Sequence, residues 1–316
     1  MSSSPCQCSG VDAVVAAARA ADACAAAFVR LEALDDADTA LYDNWIARGA
    51  NAGMDYLARY SDIRRDPRLL LDGAQSMLVT AFAYAPTPDR RSRLIADYAL
   101  GDDYHTVLRE RLRPVAALME SLHEGSATRI CVDTAPLRER LWAARADLGS
   151  IGLNNQLIIP GIGSRVFLAE ILWTAPLPQH STFKIQNSKS CISCISCRRC
   201  VDACPGGALD GKGGIDAGRC LSYLTIEHRG DLPDTLSLRG RSIYGCDICQ
   251  DVCPCNSSTP PVPVPEFAPR PAVASLTLDD IAAMDADTFS RTFARSAVKR
   301  AKLSGLLRNA AKAREE

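Results

Sequence analysis

The chain has 316 residues, 47% of them apolar, and a formal net charge of -1. That is enough to bury one large core or two modest ones, and nothing global marks a polyanion binder. No apolar run approaches the roughly 20 residues that span a bilayer. The opening MSSSPCQCSG has neither the charged-then-apolar order of a secretory signal nor a twin-arginine leader, so a cytoplasmic location is expected.

Residues 11–34 are alanine-rich and predict a helix, because alanine has the highest helix propensity. Residues 76–84 read as a buried strand stopped by Pro86. Residues 104–122 put Val107, Leu108, Leu112, Val115, Leu118, Met119 and Leu122 on one helical stripe. A short strand is expected at 129–132. Asp133 and Thr134 can then cap a helix that carries Pro136 in its first turn and ends near Gly149. Residues 156–160 and 166–172 are further strand candidates. The alternation makes residues 1–180 an α/β domain. Residues 181–258 form a cysteine-rich module. Residues 259–316 form a proline-rich connector and a basic tail that reads as two helices.

Fourteen cysteines in a chain this long point to metal or cluster ligation rather than a disulfide framework. Cys194, Cys197, Cys200 and Cys204, the last followed by Pro205, have the spacing of a bacterial ferredoxin run. In such a run three cysteines hold one 4Fe-4S cluster and the fourth crosses to the other. Cys246, Cys249 and Cys253, followed by Pro254, repeat the later part of that pattern, and Cys220 is the natural substitute for the absent first cysteine. The assignment that satisfies both clusters is Cys194, Cys197, Cys200 and Cys253 for one, with Cys204, Cys220, Cys246 and Cys249 for the other. Paired CxxC also suits zinc knuckles, the competing reading. A register slip using Cys191, Cys194 and Cys197 stays open. The spacing to Cys204 favours Cys200, which leaves Cys191 and Cys255 surplus. A two-cluster module implies an electron carrier or a redox enzyme.

Several stretches together resemble the epoxyqueuosine reductase family, the cobalamin and iron–sulfur enzymes of queuosine synthesis in tRNA. They are GMDYL at 53–57, DPRLLL at 66–71, DYH at 103–105, VDTAP at 132–136 and IGLN at 151–154. CLSYLTIE at 220–227, IYGCDICQ at 243–250 and KRAKLSGLLRN at 299–309 continue the match in the family's order. The chain departs from the family's usual residues at Leu153, Arg165, Gly206 and Cys255.

The resemblance implies an α/β N-terminal cobalamin-binding domain, a ferredoxin-like two-cluster 4Fe-4S module and a short helical C-terminal tail. It implies reduction of the epoxide of epoxyqueuosine in tRNA to the alkene, with two electrons, two protons and loss of water. Two 4Fe-4S clusters would relay electrons from an external flavodoxin- or ferredoxin-type donor to base-off cobalamin, in a monomer. Asp133 becomes the expected proton donor to the departing oxygen and a cobalamin contact, with His105 orienting substrate or acid. Tyr56, Asn154, Ser164, Ser222, Tyr223 and Gln250 become the other expected cobalamin contacts. Read alone, Asp133 is a helix cap and His105 a helix-start residue.

Residues 289–316 hold eight Lys/Arg against Glu315 and Glu316, a local charge of +6. Lys299, Arg300, Lys302 and Arg308 are therefore the expected tRNA contacts, with a merely solvated face as the alternative. A corrinoid reductive dehalogenase and a non-catalytic iron–sulfur carrier are the two other functions that share the cluster motif.

Overall fold

The computed structural model of the chain describes residues 5–84, 94–177, 194–240, 242–257 and 264–315. Its strands are Ala25–Arg30 (β1), Ser76–Ala83 (β2), Thr128–Cys131 (β3), Ser150–Ile151 (β4), Leu157–Ile158 (β5) and Val166–Trp173 (β6). Four of them form a sheet of order β1-β2-β6-β3, and β4 pairs with β5. Every neighbouring pair is antiparallel. Strands and helices do interleave along the chain, but they do not build the parallel sheet usual for that alternation.

The alanine run is divided. Helix α1 covers Pro5–Ala20, Asp22 turns with a left-handed φ of 72°, and the next alanines enter β1. Ala25, Ala26 and Ala27 are at most 3% exposed. Their small side chains fit between covered layers, and that burial outweighs helix propensity. Strand β2 is buried along its whole length. Leu78 and Phe82 point into the core shared with α1 and α4 (below), whereas Met77, Val79 and Ala81 point into the opposite one. Burial on both faces is why β2 reads as a continuous apolar run.

Helices α2 (Asp36–Ala47) and α3 (Ser61–Arg65) follow β1, and α4 (Tyr104–Leu122) follows β2. Helix α4 has the bounds its apolar stripe predicts. The next helix, α5, starts only at Glu139 and runs Glu139–Arg145, with Arg138 rather than Asp133 at its N-cap. The left-handed φ of 55° at Asp133 turns the chain away and leaves 132–138 as a loop.

The cluster module uses short helices: α6 (Cys194–Cys197), α7 (Arg199–Asp202), α8 (Leu221–Ile226) and α9 (Ile248–Asp251). The tail forms α10 (Pro271–Ala274), α11 (Leu278–Ala282), α12 (Ala286–Thr292) and α13 (Lys302–Arg314), not two helices. Thr277 with Asp280 forms a capping box and Asp285 caps α12, so the chain restarts a helix at each point. Ile281, Phe293, Val298 and Leu306 of the tail share one core with Leu238 and Ile243 of the module and with Ile95 and Ala99. The connector is also partly built in. Val264 is fully buried in the sheet's core, and the Phe267 ring lies 4.7 Å from that of Phe167.

Candidate functional site

Asp103 caps α4 by accepting the backbone N–H of His105 at 3.0 Å, which sets Tyr104 and His105 in the helix's first turn. The same Asp103 oxygen lies 2.7 Å from His105 Nδ1. On the other side of the ring, Nε2 lies 3.1 Å from Asp133 Oδ2. The Tyr104 hydroxyl donates to that same Asp133 oxygen at 2.9 Å. Tyr104 is held flat by stacking on Phe167 at 4.4 Å and on His105 at 4.1 Å. A carboxylate on each ring nitrogen selects the doubly protonated imidazolium, with both N–H groups donating.

The protonation states follow from this arrangement. Burial alone would push His105 down, but the hydrogen bonds and charges of Asp103 and Asp133 outweigh it and raise His105 to about 9. Burial would raise Asp133, yet His105 and the Tyr104 hydroxyl hold it below the ordinary carboxylate range. Burial, with Asp133's charge added, keeps the Tyr104 hydroxyl protonated far above its usual value. The pair therefore holds a proton at His105 Nε2, pointed at a carboxylate whose side chain is 56% exposed. Asp133's positive φ costs roughly 1–2 kcal/mol in an L-residue, and such strain persists where neighbours hold it.

Two more carboxyls stand behind Asp133, and sequence reasoning missed both. Glu139 Oε1 accepts the backbone N–H of Asp133 at 2.7 Å. Burial, then the charge of Asp133, pushes Glu139 up to about 8. Glu170 on β6 is fully buried, and neither of its oxygens has a hydrogen-bond partner among the described residues. Burial and then Glu139 and Asp133 raise it well above the carboxylate range. Its place in an apolar strand pattern, VFLAEILW, was the available signal.

Tyr56 and Arg300 flank this cleft. The Arg300 guanidinium lies 5.6 Å from the centre of the Tyr56 ring and donates to both Glu227 oxygens at 2.8 and 2.9 Å. Burial first, then the negative charges of Glu227 and Asp133, shifts the Tyr56 hydroxyl upward against the opposing pull of Arg300. Asn154 is 3% exposed, and its Nδ2 has no partner among the described residues. The Tyr223 hydroxyl accepts from Gly53 N at 2.9 Å, and Ser222 sits beside it in α8. Ser164 and Gln250 are turned to another use, because Ser164 Oγ donates to Gln250 Oε1 at 3.0 Å. Asn256 also bonds Ser164 and the Gln250 carbonyl, and Gln250 Nε2 donates to the Tyr84 hydroxyl at 3.1 Å. These bonds fasten the sheet to the cluster module. The fully buried Arg165 pairs with Asp251 at the same junction.

The eight candidate ligand cysteines are all half-buried free thiols. Burial pushes Cys200 and Cys253 up, and the neighbours that add to it are Cys253 and Cys194 for the first, Cys194 and Cys197 for the second. Burial likewise raises Cys220, Cys246 and Cys249, with Cys204, Cys220 and Cys246 among the thiols facing them. Cys249 also faces Cys200, where the two groups meet. Cys194, Cys197, Cys200 and Cys253 line one cavity together with Leu153 and Asn154. Among the described residues no three metal-binding side chains converge tightly enough for a single ion. A cubane spreads its thiolates wider than one tetrahedral ion does. Cys255 is disulfide-bonded, and Cys191 lies outside the described residues. Gly206 is required here, since a Cβ would lie 1.9 Å from the Arg219 carbonyl oxygen.

Of the basic tail residues, Lys299, Arg300 and Lys302 are exposed. Arg308 is half-buried and already engaged with the backbone. Its guanidinium donates to the carbonyls of Leu224, His228 and Gly230 and to Asn309 Oδ1, holding α8 and the turn after it.

Comparison with known proteins supplies the family. Residues 64–134 match the family model described as epoxyqueuosine reductase QueG, DUF1730, and residues 193–256 match a 4Fe-4S double cluster binding domain. An epoxyqueuosine reductase of Cyclobacterium marinum is 38% identical over 273 residues, covering 84% of this chain and 85% of the relative. One of Synechococcus sp. strain CC9605 is 37% identical, covering 88% of this chain and 85% of the relative. A solved epoxyqueuosine reductase bound to an epoxyqueuosine-modified tRNA-Tyr stem loop superposes with a TM-score of 0.81 at 30% identity, covering 96% of this chain and 80% of that one. The Bacillus subtilis enzyme, captured with its catalytic aspartate loop swung out of the active site, gives 0.80 at 29% identity over the same shares. Cysteine spacing, double-cluster module and relatives across the chain's length agree: this chain belongs to the epoxyqueuosine reductase family.

Proposed function

We propose that the chain reduces the epoxide of epoxyqueuosine in tRNA to the alkene of queuosine. The observation that carries this reading is the Asp103–His105–Asp133 array, which presents a stored proton to an open cleft in a chain that also holds a two-cluster module. Two electrons and two protons convert the epoxide to an alkene and water. The cysteine neighbourhoods support Cys194, Cys197, Cys200 and Cys253 for one 4Fe-4S cluster and Cys204, Cys220, Cys246 and Cys249 for the other.

Asp133 hands a proton to the departing oxygen, and His105 Nε2 resupplies it. Tyr104 fixes the carboxylate through Oδ2, and Asp103 fixes the ring. An ionised Asp133 at rest suits this order. Closing the cleft with substrate removes water, raises the carboxylate's proton affinity and draws the proton across from His105. The family's cobalamin fits the residues present: the orphaned Asn154 amide is a donor awaiting an acceptor, and Tyr56 and Asp133 offer exposed polar groups. Asn154, Tyr56, Asp133, Ser222 and Tyr223 would hold it, while Ser164 and Gln250 would support them from the junction. Cobalamin, when bound, would supply a strong reductant for this two-electron reaction.

Lys299, Arg300 and Lys302 would meet the phosphates of the anticodon arm. A flavodoxin- or ferredoxin-type donor would feed the clusters of a monomer. No described helix is long and apolar enough to cross a membrane, and the cytoplasm is where the substrate tRNA is found. The test is anaerobic purification followed by single turnover. The reading expects about eight iron per chain, binding of cobalamin, and conversion of epoxyqueuosine-containing tRNA. Full cluster content with no cobalamin binding and no conversion would reject it.

A further inference from the structure

The loop at 132–138 is held at Asp133 by two different means. The Asp133 side chain is gripped through one oxygen, Oδ2, by Tyr104 and His105 of α4. Its backbone is gripped from the other direction. Glu139, the first residue of α5, reaches back and accepts the Asp133 N–H at 2.7 Å. That N–H belongs to a residue at φ 55°, a conformation that relaxes unless a partner fixes it. The following residues add little to the backbone. Thr134 N and Leu137 N bond only within the loop, to the Val132 and Ala135 carbonyls, and Arg109 reaches the Thr134 hydroxyl.

Glu139 is suited to this because its surroundings are acidic. Asp133 lies in front of it as a carboxylate that an ionised Glu139 would repel, and the buried Glu170 carboxyl behind, itself pushed up by burial, offers no compensating charge. A neutral carboxyl still offers a carbonyl oxygen to an N–H and adds no second negative charge beside Asp133. Helix α5 is in turn fixed by Trp142, which is fully buried, and by Arg145, which pairs with Glu32 and Asp38. The clamp therefore rests on a helix anchored outside the loop.

We propose that Glu139 is the positioning residue of the acid loop: its carboxyl oxygen pins the left-handed backbone of Asp133 and keeps the Asp133 carboxyl in the grip of Tyr104 and His105. The catalytic part of this rests on Asp133 being the proton donor. The clamp itself is a statement about backbone geometry and is read separately.

The test compares Glu139→Ala with Glu139→Gln in the full chain, each checked for iron content against wild type. Amide hydrogen exchange of the 130–138 peptide reads the clamp, and kcat and KM for epoxyqueuosine-containing tRNA read its consequence. In Glu139→Ala, exchange rises about tenfold. Its kcat falls roughly ten- to a hundredfold with KM for tRNA little changed. Glu139→Gln, whose amide oxygen accepts the same N–H, restores most of both. If alanine prevents iron loading, Glu139→Met fills the space without an acceptor and takes its place. Unchanged exchange in Glu139→Ala would overturn the clamp. A Gln variant as impaired as the Ala variant would also overturn it, by assigning the role to the proton rather than the oxygen. Faster exchange in Glu139→Ala alongside full activity in Asp133→Asn would leave the clamp standing and remove the catalytic reading instead.

Discussion

The cluster module and the acid cleft hold their chemistry in opposite ways. In the module, Cys194, Cys197, Cys200 and Cys204 follow one another on two single-turn helices, Cys194–Cys197 and Arg199–Asp202, and the turn after them. Local chain geometry alone brings Cys194, Cys197 and Cys200 together, and folding has only to add the crossing cysteine, Cys253, from the later run. In the cleft, Asp103, His105, Asp133, Glu139 and Glu170 come from the start of α4, a loop, the start of α5 and the middle of β6. Only the folded sheet assembles them. The module depends on spacing and the cleft on packing, so substitutions should act on them differently.

The sharpest break should come in the module. Cys253→Ser and Cys204→Ser should each remove one cluster, halving the iron content to about four per chain and abolishing turnover. Because each residue crosses from its own run to the other cluster, the loss should follow the crossed assignment in the EPR spectrum. Cys191→Ser should keep both clusters. If it loses one while Cys200→Ser does not, the register is the slipped one.

The cleft should fail more gently. Asp133→Asn should load both clusters fully and lower the single-turnover rate by about 10²–10⁴. A wild-type rate would remove Asp133 from the chemistry.

The pH response separates the two regions again. His105 is raised from 6.5 to about 9 in the folded chain, so its stabilising contribution is complete below 6.5 and is lost as pH rises through about 9. Asp133 is depressed from 3.8, so its contribution is present above that value and is lost as pH falls. Single-turnover rates should therefore drop on the alkaline side with an apparent pKa near 9, as the His105 shift sets it, while cluster content stays flat. His105→Gln should abolish that limb; a limb that persists unchanged would assign it to another group. The smallest effect belongs to the tail. Lys299→Ala with Lys302→Ala should weaken tRNA binding several-fold and reduce the salt slope by about 0.7–0.9 for each phosphate no longer neutralised. An unaltered slope would take this surface out of the binding reading.

What could be read from the chain before folding follows the same division. Coordination by Cys194, Cys197 and Cys200 leaves a spacing that survives in one dimension, as does the apolar stripe of α4. The alanine run misleads because Ala25, Ala26 and Ala27 fit by thinness between layers, a property that propensity does not register. The tail divides into four helices because Thr277 and Asp285 act as caps, signals present in the sequence but outweighed by its overall helical composition. Arg308 reads as part of a basic face, yet its side chain folds back onto carbonyls. Glu139 and Glu170 have no one-dimensional signature as a pair, since their meaning lies in standing behind Asp133 once α5 is packed against β6.

The connector ring Phe267 abuts Phe167, Phe167 stacks on Tyr104 and Tyr104 on His105, at 4.7, 4.4 and 4.1 Å. The four rings form an unbroken column from the segment that tethers the basic tail to the imidazole that carries the proton. A displacement of the connector at Phe267 therefore meets close ring packing all the way to His105, so the stretch leading into the basic tail and the proton-holding imidazole are packed as one unit.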